Sequence, residues 1–344
     1  MSWFLNPAQP FPLEYVEKAK AYQATLTKPQ GALGALEDIA IRFSAYQKTL
    51  SPKIDQIQIV VMAADHGVAV EDVSLFPQSV TAEMIENFAR GGAAISVVAR
   101  NLSAKLTVFN LGTVNKLKSL ANIIDAYVGP GTENFTRSSA MTMAQCEKAL
   151  NHGKEAADWA KFSRCQLFIG GEMGIGNSTS AAAIASAILL RPAADIAGPG
   201  TGLDSQGVEH KINVIERGLA LHQDRTPLQV LKNLGGFEIA ALVGAYISCA
   251  QQGIPVLLDG FISTAAALIA SAINPSIKPW MMASHNSQEP GHQLILNSLG
   301  LTPLVDLRLR LGEASGAAVV VPLLQSACLL QGQMATFEAA QVSQ

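Results

Sequence analysis

Short apolar runs alternate with alanine-rich helical patterns over most of the chain. Seven runs predict strands, at residues 57–63, 106–111, 123–128, 166–169, 256–258, 278–282 and about 304–309. Most of them are continuously apolar, which is typical of parallel strands that are covered by helices on both faces of a sheet. The pattern therefore predicts an α/β fold with a doubly wound, mainly parallel sheet.

The two ends of the chain have a helical pattern instead. Apolar residues recur at helical spacing at Tyr15, Ala19, Tyr22 and Leu26, at Leu33, Leu36 and Ile39, and at Val319, Leu323, Ala327 and Leu330. We predict that helices in residues 1–50 and 316–344 pack together as a small domain. Residues 51–315 then form one large α/β domain.

Composition and charge exclude some classes of protein. Of the 344 residues, 49% are hydrophobic and only 15% are charged, and the net charge is -3 with no basic stripe. This balance argues against a nucleic-acid partner. Three uncharged stretches, at residues 173–190, 239–258 and 260–277, approach membrane-spanning length, but small or polar residues interrupt each one. We expect no membrane segment.

The cysteines and the first residues bear on the compartment. Cys146, Cys165, Cys249 and Cys328 are far apart and form no CxxC pair, so we expect buried thiols rather than disulfides or zinc ligands. The opening residues lack the basic and apolar regions of a signal peptide. We expect a cytoplasmic protein.

Polar residues collect directly after five of the predicted strands. These turns are residues 64–67, 170–183, 259–268, 283–292 and 310–318. Because ligands of open α/β sheets bind beyond the carboxyl ends of the strands, the turns are the candidate functional site.

Two of these regions are rich in glycine. Glycines 170, 171, 174 and 176 lead into a helix predicted to begin near Asn177 or Ser178, and its amides favour an anion such as phosphate. A Walker A loop would need Lys where Asn177 stands, and a dinucleotide fingerprint would need Gly where Thr179 stands. An ordinary tight turn is the alternative. The cluster at residues 198–202 is equally consistent with an ordinary loop, and Lys211 could supply a cation or be solvated.

Four further residues are candidates for chemistry. His285, Glu289 and His292 suggest a metal site, but Pro290 and Gly291 exclude one helix carrying all three, so we favour hydrogen bonds to a substrate or to the turn and predict no metal. Glu313 lies between an apolar run and an apolar helix. Burial would raise the pKa of Glu313 and suit it to act as a general base, whereas a position at the N-terminal cap of the helix would lower its pKa.

Nine motifs in sequence order resemble the nicotinate-nucleotide:dimethylbenzimidazole phosphoribosyltransferase family. They span residues 28–318 and are KPQGALGALE, ADHGV, ENFARGGAAI, GGEMGIGNSTSAAA, GPGTG, HKINVI, DGFISTAAAL, SHNSQEPGH and LGEASGAA. The resemblance implies transfer of phosphoribose from nicotinate mononucleotide to dimethylbenzimidazole with inversion. It also implies a homodimer, with no cofactor, whose subunits have a Rossmann-like large domain that binds the nucleotide and a small helical domain from both termini.

The resemblance also implies roles for individual residues. Glu313 matches the catalytic base, and Glu172 is a second carboxylate near the nucleotide. The segments that match nucleotide- and phosphate-binding positions comprise Gly171, Met173, Gly174, Ile175, Gly176, Asn177, Gly200, Gly202 and Lys211. The segment at residues 74–86 matches the stretch that lines the acceptor pocket, and the residues assigned to that pocket are Ser74, Glu83 and Ser315.

The chain departs from the family pattern at a few positions. Ala32 stands in the family's GSLG, Ser178 in GNTT, and Ala314 replaces the middle glycine of GEGSG, while Glu83 stands where Gln is expected. The changes at Ala314 and Glu83 bear on the preferred acceptor base. A metal-dependent nucleotide hydrolase and a non-catalytic nucleotide-binding module are the alternative functions.

Overall fold

The computed structural model of the protein describes residues 2–115, 117 and 123–343. Its strands are β1 (Ile57–Ala64), β2 (Lys105–Gly112), β3 (Ile123–Asp125), β4 (Leu167–Met173), β5 (Val256–Leu258), β6 (Met281–Ala283), β7 (His285–Ser287) and β8 (Val305–Leu309). Strands β1 to β6 form a sheet in the order β3-β2-β1-β4-β5-β6, in which every pair is parallel. The predicted α/β fold is confirmed.

Helices cover both faces of this sheet. They are α1 (Leu13–Gln23), α2 (Ala35–Gln47), α3 (Ser79–Arg90), α4 (Ala94–Asn101), α5 (Met143–Phe162), α6 (Asn177–Leu189), α7 (Ala193–Ile196), α8 (Ser205–Leu221), α9 (Pro227–Leu234), α10 (Phe237–Gln252), α11 (Phe261–Ile273), α12 (Gly291–Leu299), α13 (Ser315–Gln333) and α14 (Phe337–Ala340). Short 3-10 turns lie at Trp3–Leu5, Gly67–Glu71 and Pro275–Trp280.

The strand order reverses between β1 and β4. β1 is buried over its whole length and pairs with β2 on one side and β4 on the other. The chain crosses to opposite sides of the sheet from these two central strands, so their carboxyl ends leave a crevice where ligands of such folds bind. β4 ends at this crevice and leads into α6.

Four of the predicted strands differ from the structure. Residues 278–280 of the predicted run at 278–282 belong to a 3-10 turn, and only Met281–Ala283 is a strand, because Pro279 has no amide hydrogen for a ladder bond. β8 pairs in parallel with β7 in a separate two-stranded sheet rather than joining the main sheet. The run predicted at 123–128 ends as a strand at Asp125. β4 continues through Met173, so that Glu172 lies on a strand rather than in a loop.

Segments from the two ends of the chain contact each other, and the small helical domain built from them stays a prediction. α13 packs on α2, and Leu26 forms an antiparallel bridge with Thr336. The boundaries at residues 50 and 315 stay predictions. Within the described residues, α13 is long and apolar enough to cross a membrane by length and composition, with a mean hydropathy of 1.4, but 56% of that window is buried in the protein. A core helix of a folded domain meets the same criterion.

Candidate active site

A cavity of about 510 Å³ opens at the carboxyl ends of the central strands. Its walls are the end of β4 with the start of α6, the loop at residues 200–201, the start of α11, strand β7, and the segment from β8 to α13. Four of the five polar turns contribute residues to the cavity lining, and the turn after β1 lies behind those four. The cavity is therefore built from segments that are far apart in sequence.

Glu172 is the buried carboxylate at the end of β4. The side-chain amide of Asn177, the first residue of α6, donates a hydrogen bond to it. Burial raises the pKa of Glu172 to about 8, and the nearby carboxylates of Glu238 and Asp259 act in the same direction. A side chain on Gly312 would begin 2.6 Å from Glu172 Oε1, so the glycine there is required. Glu172 is mainly protonated at neutral pH.

Glu313 lies in a turn with unusual backbone geometry. Gly312, Glu313 and Ala314 have successive φ angles of 84°, 63° and 66°, all in the left-handed region. Only glycine adopts this region without strain, so the surrounding contacts hold the turn in place. Gly171 of β4 is one such contact, because a Cβ there would lie 2.7 Å from the Ala314 Cβ.

Glu313 is not a helix cap. The N-cap position of α13 belongs to Ala314, and no side-chain cap bond is formed there. Burial raises the pKa of Glu313 to about 7, and the charge of Asp259 adds to this effect. Of the two interpretations of Glu313, the structure supports a carboxylate poised to exchange a proton near neutral pH.

Asp259, directly after β5, holds the turn of Glu313. Its carboxylate accepts hydrogen bonds from the amides of Ala314, at 3.1 Å, and of Ala317, at 2.8 Å. It is 2% exposed, and burial raises its pKa, while nearby His285 and the amide donors favour the ionised form. Sequence analysis missed this role, although the motif that begins with Asp259 at a strand end was the available signal.

A buried cation lies at the other side of the cavity. Asp204 accepts a hydrogen bond from the Gly207 amide at 2.8 Å and begins α8, which carries Lys211. Lys211 Nζ donates to Ser178 Oγ at 2.9 Å and to the Gly198 carbonyl at 3.1 Å. The side chain is almost fully buried, and burial lowers the pKa of Lys211 to about 8 while Glu289 opposes the shift. Lys211 is not a solvated surface lysine.

The loop at residues 198–202 is fixed beside this lysine. Glu289 Oε1 accepts a hydrogen bond from the Gly200 amide at 2.9 Å. Gly200 has a φ angle of 52°, and a Cβ there would lie 3.0 Å from Lys211 Nζ. A cation and a glycine-rich backbone are thus brought together, which is a suitable arrangement for a phosphate group.

The predicted nucleotide-binding residues are only partly at the cavity surface. Those that line it are Met173, Gly174, Ile175, Asn177 and Gly200, together with Glu172 and Glu313. Gly171, Gly176 and Lys211 are buried and do not belong to the lining, and Gly202, in the exposed part of the loop at 198–202, lies outside it as well. Gly176 has a φ angle of 97° and begins α6, and Gly202 has Leu75 as its nearest neighbour.

The predicted acceptor-pocket residues are not brought together. Ser74 Oγ lies 3.1 Å from Thr201 Oγ1, near the loop at 198–202. Ser315 Oγ donates a hydrogen bond to the Gly312 carbonyl oxygen at 2.6 Å, which stabilises the turn that contains Glu313. Glu83 is exposed on α3. These three residues lie outside the cavity lining, whereas Phe76, which the sequence analysis did not single out, forms part of it.

His285, Glu289 and His292 have three different surroundings. His292 Nδ1 accepts a hydrogen bond from the Ser287 amide at 2.9 Å, and His292 Nε2 lies 3.0 Å from Thr264 Oγ1. Burial lowers the pKa of His292 to about 3. Glu289 binds Gly200, and His285 lines the cavity. Among the residues that the structure describes, no three His, Cys, Asp or Glu side chains are arranged to hold a metal ion.

The sequence also did not predict a buried hydrogen-bond network behind the glycine turn at residues 174–176. His66 Nε2 lies 2.6 Å from Glu238 Oε1, and His66 Nδ1 lies 3.0 Å from Ser180 Oγ. A Cβ on Gly174 would lie 3.2 Å from the His66 ring, so the pair supports the turn from below. The polar residues after β1 were the signal, but their partners are more than a hundred residues away.

Known proteins resemble this chain over almost its whole length. A family model described as "Phosphoribosyltransferase" matches residues 8–342. The nicotinate-nucleotide–dimethylbenzimidazole phosphoribosyltransferase of Pseudomonas fluorescens is 54% identical, with 99% of this chain and 98% of the relative covered. The protein of the same name from Xanthomonas oryzae is 56% identical, with 94% of each chain covered.

Solved structures agree with the sequence comparison. The crystal structure of CobT from Thermus thermophilus superposes with a TM-score of 0.93 at 42% identity, covering 96% of this chain and 99% of that one. A second structure from the same organism, named as the nicotinate-nucleotide–dimethylbenzimidazole phosphoribosyltransferase, has a TM-score of 0.91 at 41% identity. The chain belongs to the nicotinate-nucleotide–dimethylbenzimidazole phosphoribosyltransferase family.

Proposed function

We propose that this phosphoribosyltransferase transfers phosphoribose from nicotinate mononucleotide to dimethylbenzimidazole, giving α-ribazole phosphate and nicotinate. One observation carries the proposal: a single cavity has a phosphate-suited loop with buried Lys211 on one side and Glu313, whose pKa is raised to about 7, on the other. The names of the relatives specify the two substrates. The product supplies the nucleotide portion needed for cobalamin assembly.

The reaction requires binding and one proton transfer. The loop at 198–202 and Lys211 hold the phosphate, which fixes ribose C1 near Glu313. The C1–nitrogen bond to nicotinate breaks, and its electron pair goes to the pyridinium nitrogen, so the leaving group needs no acid. One benzimidazole nitrogen attacks C1 from the opposite face, which inverts β to α. The other nitrogen loses its proton to Glu313.

Burial raises the pKa of Glu172 further than it raises the pKa of Glu313, and this order suits the chemistry. Glu313 with a pKa of about 7 is largely ionised just above neutral pH and accepts the proton. Glu172 with a pKa of about 8 remains largely protonated there and supports the site as a hydrogen-bonding neighbour. A positioned base contributes about 10²- to 10⁴-fold to the rate. Positioning through the bound phosphate contributes several kcal/mol more, with an upper range of roughly 7–11 kcal/mol.

The direct test is nicotinate release from nicotinate mononucleotide, with and without dimethylbenzimidazole, in the presence of EDTA. We expect release that depends on the acceptor, with an α-linked ribosyl product identified by mass and anomeric configuration. Acceptor-independent release would identify a hydrolase, and loss of release in EDTA would identify a metal-dependent reaction. Donor binding without any release would identify a binding module.

We also propose that two copies of the chain form a homodimer. The solvent-facing side of α13 carries an apolar stripe in which Val319 is 45%, Leu323 41% and Leu329 54% exposed. Burying such a stripe against a second copy removes apolar surface from water. The variant Leu323→Glu should sediment as a monomer under conditions where the wild type is a dimer. A wild-type monomer at micromolar concentration would contradict the proposal.

Two further expectations belong to the same proposal. The four cysteines are free and three of them are buried, which suits a reducing cytoplasm. The proposed substrates are small molecules, and the low net charge gives no reason to add nucleic acid or a membrane as a partner. Fractionation of the native cells, with activity measured in the soluble and membrane fractions, tests the compartment and the absence of a membrane partner.

A further inference from the structure

Strand β7 presents two polar side chains to the cavity. His285 and Ser287 are two residues apart on this strand, so they point to the same side. Both line the cavity, although they are only 3% and 7% exposed. The reaction outlined above assigns no task to either residue.

The hydrogen bonds of His285 fix which ring nitrogen carries the proton. Ser284 donates its hydroxyl hydrogen to the Leu258 carbonyl at 2.6 Å and also lies 2.9 Å from His285 Nδ1. Because the serine has a single hydrogen, Nδ1 of His285 must be the donor in the second bond. Burial lowers the pKa of His285 and so favours the neutral ring, in which Nε2 is a hydrogen-bond acceptor when Nδ1 carries the proton. Nε2 has no hydrogen-bond partner within residues 2–115, 117 and 123–343.

Ser287 can donate a hydrogen bond, which complements the acceptor Nε2 of His285. Its Oγ accepts a hydrogen bond from the Glu289 amide at 3.3 Å, which leaves the hydroxyl hydrogen available. Nothing in the described chain accepts that hydrogen. An acceptor nitrogen and a donor hydroxyl therefore stand side by side without protein partners.

Gly260 leaves these two atoms uncovered. A Cβ on Gly260 would lie 3.6 Å from His285 Nε2 and 3.8 Å from Ser287 Oγ, so both atoms converge on one point of the cavity. The φ angle of Gly260 is -78°, so this glycine does not adopt the left-handed conformation that strains other residues. The absent side chain creates space for a ligand group.

The position of β7 indicates which part of the donor reaches this point. Beyond Ser287 the chain continues to Glu289, which binds the Gly200 amide of the phosphate side. At the other end of the strand, the ring of His285 lies against Gly316 at the start of α13, next to the turn of Glu313. The ribose links the phosphate to the reacting C1, so it must lie between these two ends.

We propose that His285 and Ser287 bind the ribose diol of the donor nucleotide, with His285 Nε2 accepting one hydroxyl hydrogen and Ser287 donating to the diol. The proposal rests on the proposed function, because it assumes that a ribonucleotide occupies the cavity. It makes His285 a binding residue that selects ribose over deoxyribose rather than a metal ligand.

The test compares nicotinate mononucleotide with its 2′-deoxy and 3′-deoxy analogues in the wild type and in His285→Ala. In the wild type, removal of the hydroxyl that His285 binds should lower kcat/KM about 10-fold, the effect of one buried hydrogen bond of about 1.4 kcal/mol. In His285→Ala the same removal should lower kcat/KM by less than about 3-fold. A purely structural role of His285 would instead lower kcat/KM by one factor for all three donors.

Gly260→Ala provides a second variant that keeps both polar residues and the backbone conformation. Its added methyl group would make ordinary contacts with His285 and Ser287 and cover them. We expect it to lose discrimination between the ribose and the deoxyribose donors, while thermal unfolding stays within a few degrees of the wild type.

Two results overturn the proposal. One is full additivity of His285→Ala with removal of the 2′-hydroxyl and also with removal of the 3′-hydroxyl, and the other is unchanged discrimination in a folded Gly260→Ala protein. A wild-type protein that releases no nicotinate from the unmodified donor would instead refute the proposed function, so the two failures are distinct.

Discussion

Replacement of Asp259 by Asn removes one buried negative charge next to Glu313. The charge of Asp259 is, after burial, a cause of the raised pKa of Glu313, which lies at about 7. Glu313 accepts a proton only when it is ionised, so activity should fall as the pH drops through about 7. Without the charge, the ionised form of Glu313 is more stable, and the acid limb of the pH profile should move to lower pH.

The structure gives the size of the effect to look for. With a pKa of about 7, roughly a tenth of Glu313 is ionised at pH 6 and roughly nine-tenths at pH 8. The wild-type ratio of kcat/KM for the acceptor at pH 6 to its value at pH 8 should therefore be about 0.1, because kcat/KM reports the pKa values of the free enzyme. In Asp259→Asn this ratio should rise several-fold towards 1, even if kcat/KM itself is lower at both pH values.

Asp259→Asn also weakens the turn of Glu313. The carboxylate accepts bonds from the Ala314 and Ala317 amides, whereas a neutral Asn has one carbonyl oxygen for both. Leaving one buried amide without an acceptor costs about 1–3 kcal/mol of stability. Urea denaturation measures this loss separately from the pH dependence.

A matched control perturbs the same buried region without changing the charge. Ser263 Oγ accepts the Asp259 amide hydrogen at 3.2 Å and lies 2.7 Å from the Tyr246 hydroxyl. Ser263→Ala should lose stability but keep the wild-type ratio of kcat/KM for the acceptor at pH 6 and pH 8. An unshifted acid limb in Asp259→Asn, or an equal shift in Ser263→Ala, would refute the electrostatic reasoning.

Two other variants test the phosphate side and the strained turn. Lys211→Ala should raise KM for nicotinate mononucleotide by about 10- to 100-fold with a smaller change in kcat, because a charged hydrogen bond contributes about 1.5–3 kcal/mol. Steady-state kinetics measures both constants, and an unchanged KM would contradict the role of Lys211 in phosphate binding. Ala314→Gly relieves about 1–2 kcal/mol of strain in the left-handed backbone conformation. It also removes a buried methyl group, which costs about 0.8 kcal/mol, and it increases the conformational entropy of the unfolded chain, which costs about 0.4–1 kcal/mol. Its free energy of unfolding should stay within about 1 kcal/mol of the wild type in urea denaturation, and a loss above about 2 kcal/mol would contradict this balance.

The sequence predicts the sheet well wherever strands are apolar and continuous. β1, β2 and β5 are found close to their predicted positions because burial on both faces leaves a clear local signal. β7 was missed, since the three residues His285, Asn286 and Ser287 are all polar and the strand is short. The segment before β6 was mispredicted because Pro279 interrupts an otherwise suitable run.

The site is predictable as a location more than as a set of contacts. Polar residues at strand ends pointed to the segments that contain Glu172 and Glu313, the glycine cluster at 198–202 pointed to Lys211, and the family resemblance supplied the roles of all three. The function of Asp259 depends on amides 55 and 58 residues further along the chain, and no local pattern contains that information. The protonation states of the buried carboxyl groups follow from burial and mutual repulsion, which only the folded chain determines.

The central claim is that Glu313 takes the proton from the acceptor base. The most direct measurement is the rate of acceptor-dependent nicotinate release by Glu313→Gln at pH 8, together with the affinity for nicotinate mononucleotide. Gln keeps the size of the side chain but accepts no proton, so we predict nearly unchanged donor binding and a turnover reduced at least about 10²-fold. Turnover near the wild-type rate would remove Glu313 from this role and contradict the mechanism.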